Sequence, residues 1–228
     1  MKSLAVVIGA TGGIGGALMH ALTQSARYEA VIGLSRSSTP SLELMAEGSI
    51  KACAAFVAEQ GTPRLIVNAT GVLQTGTLKA EKSWRELDAT EMAQAFAVNA
   101  IGPALLMKHF LPLLPRAGSA VFATLSARVG SIGDNRLGGW YSYRASKAAL
   151  NQLVRTAAVE LRRRSPNAIC VALHPGTVDT GLSASFAKSG LDVQTPEVAA
   201  QHLLHVLANL TVDDNGGFFD YAGAEVPW

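Results

Sequence analysis

The stretch Leu4-Ala-Val-Val-Ile-Gly9-Ala-Thr-Gly-Gly13-Ile-Gly15-Gly-Ala-Leu-Met-His-Ala-Leu22 decides the fold of this chain. Its apolar, β-branched beginning is typical of a strand that is buried on both faces of a parallel sheet. Glycines follow at once, and apolar side chains then recur at helical spacing. A strand, a glycine-rich turn and a helix start can together hold a pyrophosphate on backbone amides. The spacing Gly-x-x-x-Gly-x-Gly differs from the usual Gly-x-Gly-x-x-Gly, so a glycine turn without a ligand stays an alternative.

A second informative stretch is Tyr143-Arg-Ala-Ser-Lys147. Residues four apart share one face of a helix, so the ammonium group can lie beside the phenol. A cation about 4 Å away is worth about 4 kcal/mol at an effective dielectric constant of about 20. This predicts that the pKa of Tyr143 falls by about three units from about 10, into the range useful for proton transfer. Taken alone, the pair also fits an ordinary helix with a solvated lysine.

Apolar strand patterns alternate with helical patterns along the whole chain. This alternation predicts an α/β fold with a doubly wound parallel sheet of Rossmann type, in a single domain over residues 1–228. A further, short strand is expected at 41–45. The remaining strands are expected at 4–9, 30–35, 64–68, 119–125, 168–173 and 217–220, and the helices near 14–26, 48–60, 88–111, 142–164 and 196–209.

These motifs resemble the short-chain dehydrogenases/reductases, whose nucleotide turn reads Thr-Gly-x-x-x-Gly-x-Gly and whose active site carries Tyr-x-x-x-Lys. Ile8 replaces the usual threonine. The stretch from Gly130 to Asn151 is most similar to the C-factor and sniffer-like carbonyl reductase branch. Three further segments match the family pattern in order along the chain: Asn68-Ala-Thr-Gly71, Asn99 in Phe96-Ala-Val-Asn-Ala100, and Pro175-Gly-Thr-Val-Asp-Thr180.

The resemblance implies that most of these positions contact a nicotinamide cofactor. Glu43 is included because it aligns with the acidic residue that touches adenine in the family, and Asn68 is also expected to tie strands together. The implied cofactor-binding residues are Gly9, Thr11, Gly12, Gly13, Ile14, Gly15, Glu43, Asn68, Ala69, Gly71, Tyr143, Lys147, Pro175, Gly176, Val178 and Thr180.

The choice of cofactor depends on the end of the second strand. NAD-binding proteins place a carboxylate there, whereas an arginine accommodates the 2′-phosphate of NADP. This chain reads Leu34-Ser-Arg-Ser37, with no acidic side chain. Arg36, with the hydroxyls of Ser35 and Ser37, therefore predicts NADP(H) rather than NAD(H). A surface arginine in a loop is the alternative.

The family mechanism, placed on this sequence, assigns three roles. Tyr143 gives the carbonyl oxygen its proton, Lys147 binds the nicotinamide ribose and lowers the pKa of Tyr143, and Asn99 holds a water on the proton path. An Asn99 amide that is satisfied within its own helix is the alternative, because a buried amide needs partners.

The catalytic serine is where the chain departs from the family. The family pattern is Ser-Ser-x-x-Gly, with the second serine catalytic, but this chain has Ser126-Ala-Arg-Val-Gly130. Ala127 thus occupies the catalytic position, and a one-residue offset in a strand reverses the face. A bulge could bring Ser126 inward, Ser131 could substitute, or Tyr143 could act alone; we take Ser126 as the catalytic serine. Loss of such a donor costs about 10²- to 10³-fold in rate.

Composition bounds the partners and the cellular location. The 19 basic and 17 acidic residues give a net charge of +2, which indicates neither a nucleic acid nor an anionic membrane as partner. No stretch reaches the roughly 18 consecutive apolar residues of a membrane span. Cys53 and Cys170 lie in apolar surroundings, as reduced core thiols of a cytoplasmic protein do. No metal site is expected. The resemblance implies a homodimer or homotetramer.

The substrate is expected to be a small carbonyl compound. Trp140, Tyr141 and Phe186 could receive an apolar or aromatic group or could pack as a lid, and Leu182 and Leu191 should border the same pocket. A hydrolase built on His174 is disfavoured because the chain has no Gly-x-Ser-x-Gly elbow. We therefore expect an NADPH-dependent reductase of ketones, aldehydes or quinones. An NADP(H)-binding signalling or sensor protein with little turnover is the alternative.

Overall fold

Six parallel strands form the central sheet of the protein, which we describe from a computed structural model over residues 1–182 and 193–228. The strands are β1 (Ser3–Ile8), β2 (Ala30–Leu34), β3 (Thr62–Asn68), β4 (Ala120–Leu125), β5 (Ala168–His174), β6 (Thr177–Val178), β7 (Val193–Gln194) and β8 (Phe218–Asp220). The strand order in the sheet is β2–β1–β3–β4–β5–β8, so the chain reverses its direction of winding after β2. A two-stranded ladder pairs β6 with β7.

Helices cover both faces of this sheet. Along β1, Leu4, Val6 and Ile8 point into one core and Ala5 and Val7 into the other, because successive side chains of a strand alternate. The helices are α1 (Gly13–Ser25), α2 (Glu47–Gln60), α3 (Ala89–Phe96), α4 (Gly102–Phe110), α5 (Tyr141–Arg164) and α6 (Pro196–Asn209). Helices α2, α4 and α5 cover the first core, and α1 and α6 cover the second. The predicted doubly wound α/β fold is confirmed.

The strand predicted at 41–45 is wrong, because this segment is a loop and β2 is the edge of the sheet. Its backbone groups are satisfied locally. The Ser49 hydroxyl donates to the carbonyl of Ser41 at 2.7 Å and accepts from the amide of Glu43 at 2.8 Å. Leu42 is buried in the core. Polar contacts with the start of α2 thus replace a strand partner.

The helix predicted over 88–111 is interrupted at Asn99. A π-helical turn, Ala97–Ile101, separates α3 from α4, and Asn99 lies at its centre. Pro103 has no N–H, so the α-helical bond to the carbonyl of Asn99 cannot form. Single π-helical turns of this kind are common at functional sites.

The same helical segment has the composition of a membrane span. Ala89–Leu113 comprises 25 residues, and an 18-residue window within it has a mean hydropathy of 1.3, which by length and composition alone would allow the helix to cross a bilayer. Leu106 and Phe110 of this segment are fully buried in the core of the protein. A helix in the core of a protein can have the same length and hydropathy, so this composition is weak evidence for a membrane role.

The carboxyl ends of the parallel strands meet at one edge of the sheet. The glycine turn follows β1, Asn68 ends β3, Ser126 follows β4, and His174 ends β5. Ligands of open α/β sheets bind outside this edge, where the direction of winding reverses. The fold therefore gathers the predicted site residues in one place.

Candidate active site

The glycine turn after β1 is shaped to receive a ligand. Gly9 has φ +85° and, with Ala10, donates its amide to the carbonyl of Leu34. A Cβ atom on Gly15 would lie 2.1 Å from the carbonyl oxygen of Gly9, so the close approach requires glycine. No side chain caps the start of α1 at Gly12. The exposed residues Thr11, Gly12 and Gly13 and the partly buried Ile14 form the rim of this cradle, which fits a pyrophosphate.

The loop after β2 presents a cation, and residues 35–37 include no carboxylate. Arg36 is exposed between Ser35 and Ser37, whose hydroxyl oxygens lie 3.1 Å apart. The Ser41 hydroxyl donates to the carbonyl of Arg36 at 2.8 Å and fixes the loop. Glu43 is exposed further along the same loop, and its side chain stays a predicted adenine contact. The arrangement fits the 2′-phosphate of NADP.

Asn68 shapes the turn that follows β3. Its amide donates to the Thr124 hydroxyl of β4 at 2.9 Å and accepts from the Thr70 amide and hydroxyl at 3.1 and 2.7 Å. Asn68 thus ties two strands together. A Cβ atom on Gly71 would lie 3.4 Å from the Lys147 ammonium, so a side chain there would fill the space beside the lysine.

The segment Pro175–Thr180 returns across the cleft. Val178 is buried in the ladder with Gln194, and the Asp179 amide donates to the Gln194 carbonyl at 2.9 Å. A Cβ atom on Gly13 would lie 2.7 Å from the Thr180 methyl group. Thr180 therefore lies over the glycine turn, as the cofactor-binding prediction requires.

Tyr143 and Lys147 lie one turn apart on α5 and are 8% and 3% exposed. The Lys147 ammonium is 5.8 Å from the Tyr143 ring centroid and donates to the Leu125 carbonyl at 2.9 Å. Burial lowers the pKa of Lys147 to about 8 and raises the pKa of Tyr143 above its ordinary value. The expectation of a lowered Tyr143 pKa is therefore wrong, because burial of the phenol disfavours its charged form. The phenol is protonated at neutral pH.

Asn99 joins three parts of the site. Its side-chain amide exchanges two 2.8 Å hydrogen bonds with the backbone of Val72. It also donates to the Ser146 hydroxyl at 3.1 Å, and that hydroxyl donates to the Tyr143 carbonyl at 2.9 Å. The amide is thus satisfied by other elements and not within its own helix. The water-holding role of Asn99 stays a prediction.

Ala127 and Ser126 both line the cleft, and they differ in what their side chains contact. Ala127 packs with Tyr143 and Leu73 in one apolar cluster. The Ser126 hydroxyl donates to the buried Asn151 side chain at 2.6 Å, while its amide continues the ladder to Leu173. The pairing of β4 with β5 shows no register shift, so no bulge in this strand turns the hydroxyl from Asn151 toward Tyr143. The catalytic role of Ser126 stays a prediction.

Ser131 does not substitute for the missing serine. Its hydroxyl is buried and accepts from the Asp134 amide at 3.0 Å within its own loop. Of the three alternatives considered for the serine, the geometry favours Tyr143 acting alone on the substrate oxygen.

Glu81 is a site residue that the sequence analysis missed. Its carboxylate is buried and accepts from both the amide and the hydroxyl of Ser142 at the start of α5. Its carbonyl accepts from the Trp140 amide. A carboxylate there complements the amino end of the helix that carries Tyr143. Nothing local in the sequence marks this role, because Glu81 is 61 residues from Ser142.

A cleft of about 860 Å³ connects these groups. Its wall beside Tyr143 is apolar, and Trp140 contacts the Tyr143 ring edge-on, with centroids 6.3 Å apart. Phe186 and Leu191 lie outside the described residues, and Tyr141 does not line the cleft. The lining residues include Ile14, Ala69, Gly71, Leu73, Ala127, Trp140, Tyr143, Lys147, Pro175, Gly176, Val178, Thr180 and Leu182.

His174 also lines the cleft, at the end of β5. Burial lowers its pKa to about 4, so the imidazole is neutral at pH 7. Its Nδ1 atom has no hydrogen-bond partner among the described residues. A serine and an acid arranged around this histidine for hydrolysis are not found in the described part of the chain.

A family model and the sequences of related proteins match most of the chain. The family model described as enoyl-(acyl carrier protein) reductase matches residues 17–214. The C-signal protein of Myxococcus xanthus is 38% identical over 143 residues, or 63% of this chain and 82% of the relative. The NADPH-dependent pterin aldehyde reductase of Arabidopsis thaliana is 31% identical over 231 residues, or 93% and 90%.

Solved structures share the fold over its full length. The NADPH-bound carbonyl reductase from chicken fatty liver superimposes with a TM-score of 0.84 at 29% identity, covering 100% of this chain and 99% of that chain. The Sniffer carbonyl reductase of D. melanogaster gives a TM-score of 0.83 at 23% identity with complete coverage of both chains, which supports the fold alone. Sequence, fold and site geometry agree: the chain belongs to the short-chain dehydrogenase/reductase family of NAD(P)-dependent oxidoreductases.

Proposed function

We propose that the protein is an NADPH-dependent reductase of a small ketone, aldehyde or quinone, with Tyr143 as the proton donor. The observation that carries this proposal is the buried Tyr143–Lys147 pair beside an apolar wall of the cleft. A reduction needs a protonated acid at the substrate oxygen, and a phenol is in that form at neutral pH.

NADP(H) is the cofactor that fits the cleft. The glycine turn offers uncapped amides, and Arg36 stands where a 2′-phosphate would lie. The chicken enzyme, which shares 29% identity, binds NADPH. When bound, this group would supply a hydride to the carbonyl carbon.

The side chains of this protein would do the remaining work. Tyr143 donates its proton to the carbonyl oxygen as that atom gains negative charge. Lys147, at the floor of the cleft, would contact ribose hydroxyls next to Gly71. Asn99 and Ser146 hold the backbone at Tyr143 and so set the direction of the phenol.

A second candidate function is that of an NADP(H)-binding signalling or sensor protein with little turnover. Ala127 favours it, because the substrate oxygen then has one side-chain donor fewer than in the family pattern. The name of the C-signal relative is in line with such a role.

We also infer a cytoplasmic protein that binds no nucleic acid and no membrane and that assembles as a homodimer or homotetramer. The net charge of +2 and the buried, free thiols of Cys53 and Cys170 support the first part. The oligomer is proposed from the family resemblance. Size-exclusion chromatography with light scattering would test it.

The deciding experiment measures NADPH oxidation with a panel of aromatic aldehydes, ketones and ortho-quinones. Wild type, Tyr143→Phe and NADH as alternative cofactor are compared. Turnover that prefers NADPH and disappears in Tyr143→Phe supports the reductase. Tight NADPH binding without turnover across the panel would instead support the sensor.

A further inference from the structure

We propose that the substrate carries a carboxylate on the side of the molecule away from its carbonyl group, and that Arg136 and Arg144 recognise it. This inference rests on the proposed reductase function and names its substrate class. The observation that supports it is the positive charge at one end of the cleft.

Cations dominate the substrate end of the cleft. Besides Lys147, four positively charged side chains line the cleft and form what we call the cationic wall, and Asp134 is the one acidic residue among the described lining residues. The cations are Lys82, Arg128, Arg136 and Arg144.

Carboxylates behind the wall offset part of this charge, and Glu86, which accepts from the Lys82 amide at 2.8 Å, is one of them. Arg128 is neutralised, since it contacts Asp220 at 2.7 Å and Asp134 at 3.5 Å. Glu81 lies buried at the start of α5. Within residues 1–182 and 193–228, no carboxylate lies within ion-pair distance of Lys82, Arg136 or Arg144.

Arg136 and Arg144, which have no carboxylate partner among the described residues, differ in how firmly their guanidinium groups are held. The Arg144 guanidinium donates to the carbonyls of Gly138, Gly139 and Val129 at 3.0–3.3 Å and so provides a fixed positive field. Arg136 is exposed, and its guanidinium donates a 3.4 Å hydrogen bond to the carbonyl of Asn135. Arg136 therefore keeps donors available for a ligand. A guanidinium offers paired N–H groups that match a carboxylate.

The phosphates of the cofactor do not explain these cations. The glycine turn after β1 and Arg36 after β2 account for the pyrophosphate and the 2′-phosphate. The cationic wall instead follows β4 and surrounds the start of α5. Its positive charge is therefore available to the substrate, which is the second ligand of the cleft.

The apolar residues of the cleft indicate the chemistry of the rest of the substrate. Leu73, Ala127, Trp140 and Leu182 pack around Tyr143. A carbonyl at the Tyr143 hydroxyl would thus be attached to an apolar or aromatic group, with the carboxylate beyond it among the arginines. An aromatic aldehyde acid has this pattern.

The test compares two probes that differ in one charge, 4-carboxybenzaldehyde and its methyl ester. For the wild type with NADPH, we expect kcat/KM to be at least about tenfold higher for the acid, equivalent to about 1.4 kcal/mol. Arg136→Gln should reduce this acid-to-ester ratio about tenfold. Arg116→Gln, which removes an exposed charge before β4 at the opposite edge of the sheet, should leave the ratio as it is. Added salt should lower the ratio in the wild type.

A binding measurement separates this inference from the reductase proposal. Calorimetric titration of both probes into NADPH-loaded Tyr143→Phe should also show tighter binding of the acid, and Arg136→Gln should remove the difference. An acid preference in binding without turnover in the wild type would support the carboxylate subsite and overturn the reductase. An equal or better response to the ester, in turnover or in binding, would overturn the subsite.

Discussion

The side-chain amide of Asn99 lies 3.1 Å from the hydroxyl oxygen of Ser146, and this contact joins the π-helical turn to the helix of Tyr143. The Ser146 hydroxyl also bonds to the Tyr143 carbonyl at 2.9 Å. Tyr143, the proposed proton donor, is therefore held from two sides, through its own helix and through Asn99.

Removal of Asn99 should affect both stability and rate. Asn99→Ala leaves the amide and carbonyl of Val72 without their partner, at a cost of about 1–3 kcal/mol in the free energy of unfolding. Ser146→Ala should cost less, about 1 kcal/mol, because it removes one hydroxyl. We expect kcat to fall further in Asn99→Ala than in Ser146→Ala. Urea unfolding and steady-state kinetics measure the two effects, and Thr156→Ala on the same helix is the control.

Ala127→Ser should increase turnover. A hydroxyl at this position would face Tyr143 and add a donor to the substrate oxygen, which is worth up to about 10²- to 10³-fold in other enzymes. We expect a rise in kcat of at least about tenfold with an aldehyde substrate. Ser126→Ala is the matched variant: it should retain kcat and lose about 1 kcal/mol of stability, because Asn151 loses its partner. Loss of turnover in Ser126→Ala would contradict the geometry.

Arg36→Ala should change the preference between cofactors. Removing the guanidinium takes away the cation for the 2′-phosphate, so the Kd for NADPH should rise about tenfold or more while that for NADH changes little. Fluorescence titration of both cofactors measures the change. Arg116→Ala provides a control with the same loss of charge, and an equal weakening of NADH would show that Arg36 does not discriminate.

Lys147 should make stability depend on pH. Burial lowers its pKa from 10.5 to about 8, so between these values the unfolded chain binds more protons than the folded one. The free energy of unfolding therefore rises with pH in this window, whereas below about pH 8 the full cost of burying the cation is present. Relative to Lys147→Met, the wild type should gain up to about 3 kcal/mol from about pH 8 to about pH 10.5. Urea unfolding of both proteins across this range measures the gain, and a constant difference would refute it.

Glu81→Ala should loosen the start of α5. Ser142 would lose the acceptor for its amide and hydroxyl, at a cost of about 1–3 kcal/mol. Glu81→Gln retains an acceptor and should restore most of the stability and of kcat. Thermal unfolding and kcat are the readouts, and equal losses in the two variants would show that the charge matters more than the hydrogen bond.

The local motifs could be predicted from the sequence. The glycine turn after β1 and the pair Tyr143 and Lys147 depend on contacts within a few residues, so spacing alone indicates them. The substitution at Ala127 was also visible, since the alternation of a strand decides which side chain turns inward.

Features that depend on distant partners could not be predicted. Glu81 and Asn151 acquire their roles only when the fold brings them to Ser142 and Ser126. The segment 41–45 has a strand-like composition, but hydrogen bonds to Ser49 decide its structure. The Tyr-x-x-x-Lys spacing predicts a lowered pKa for Tyr143, but the pKa is raised because burial depends on the whole fold.

Ala127 also has a genetic consequence. Every alanine codon becomes a serine codon by one change of its first base, so the hydroxyl that the family pattern places here is a single point mutation away. If the hydroxyl controls the rate as its position suggests, a population of cells could move this protein between slow and fast turnover without any change of fold.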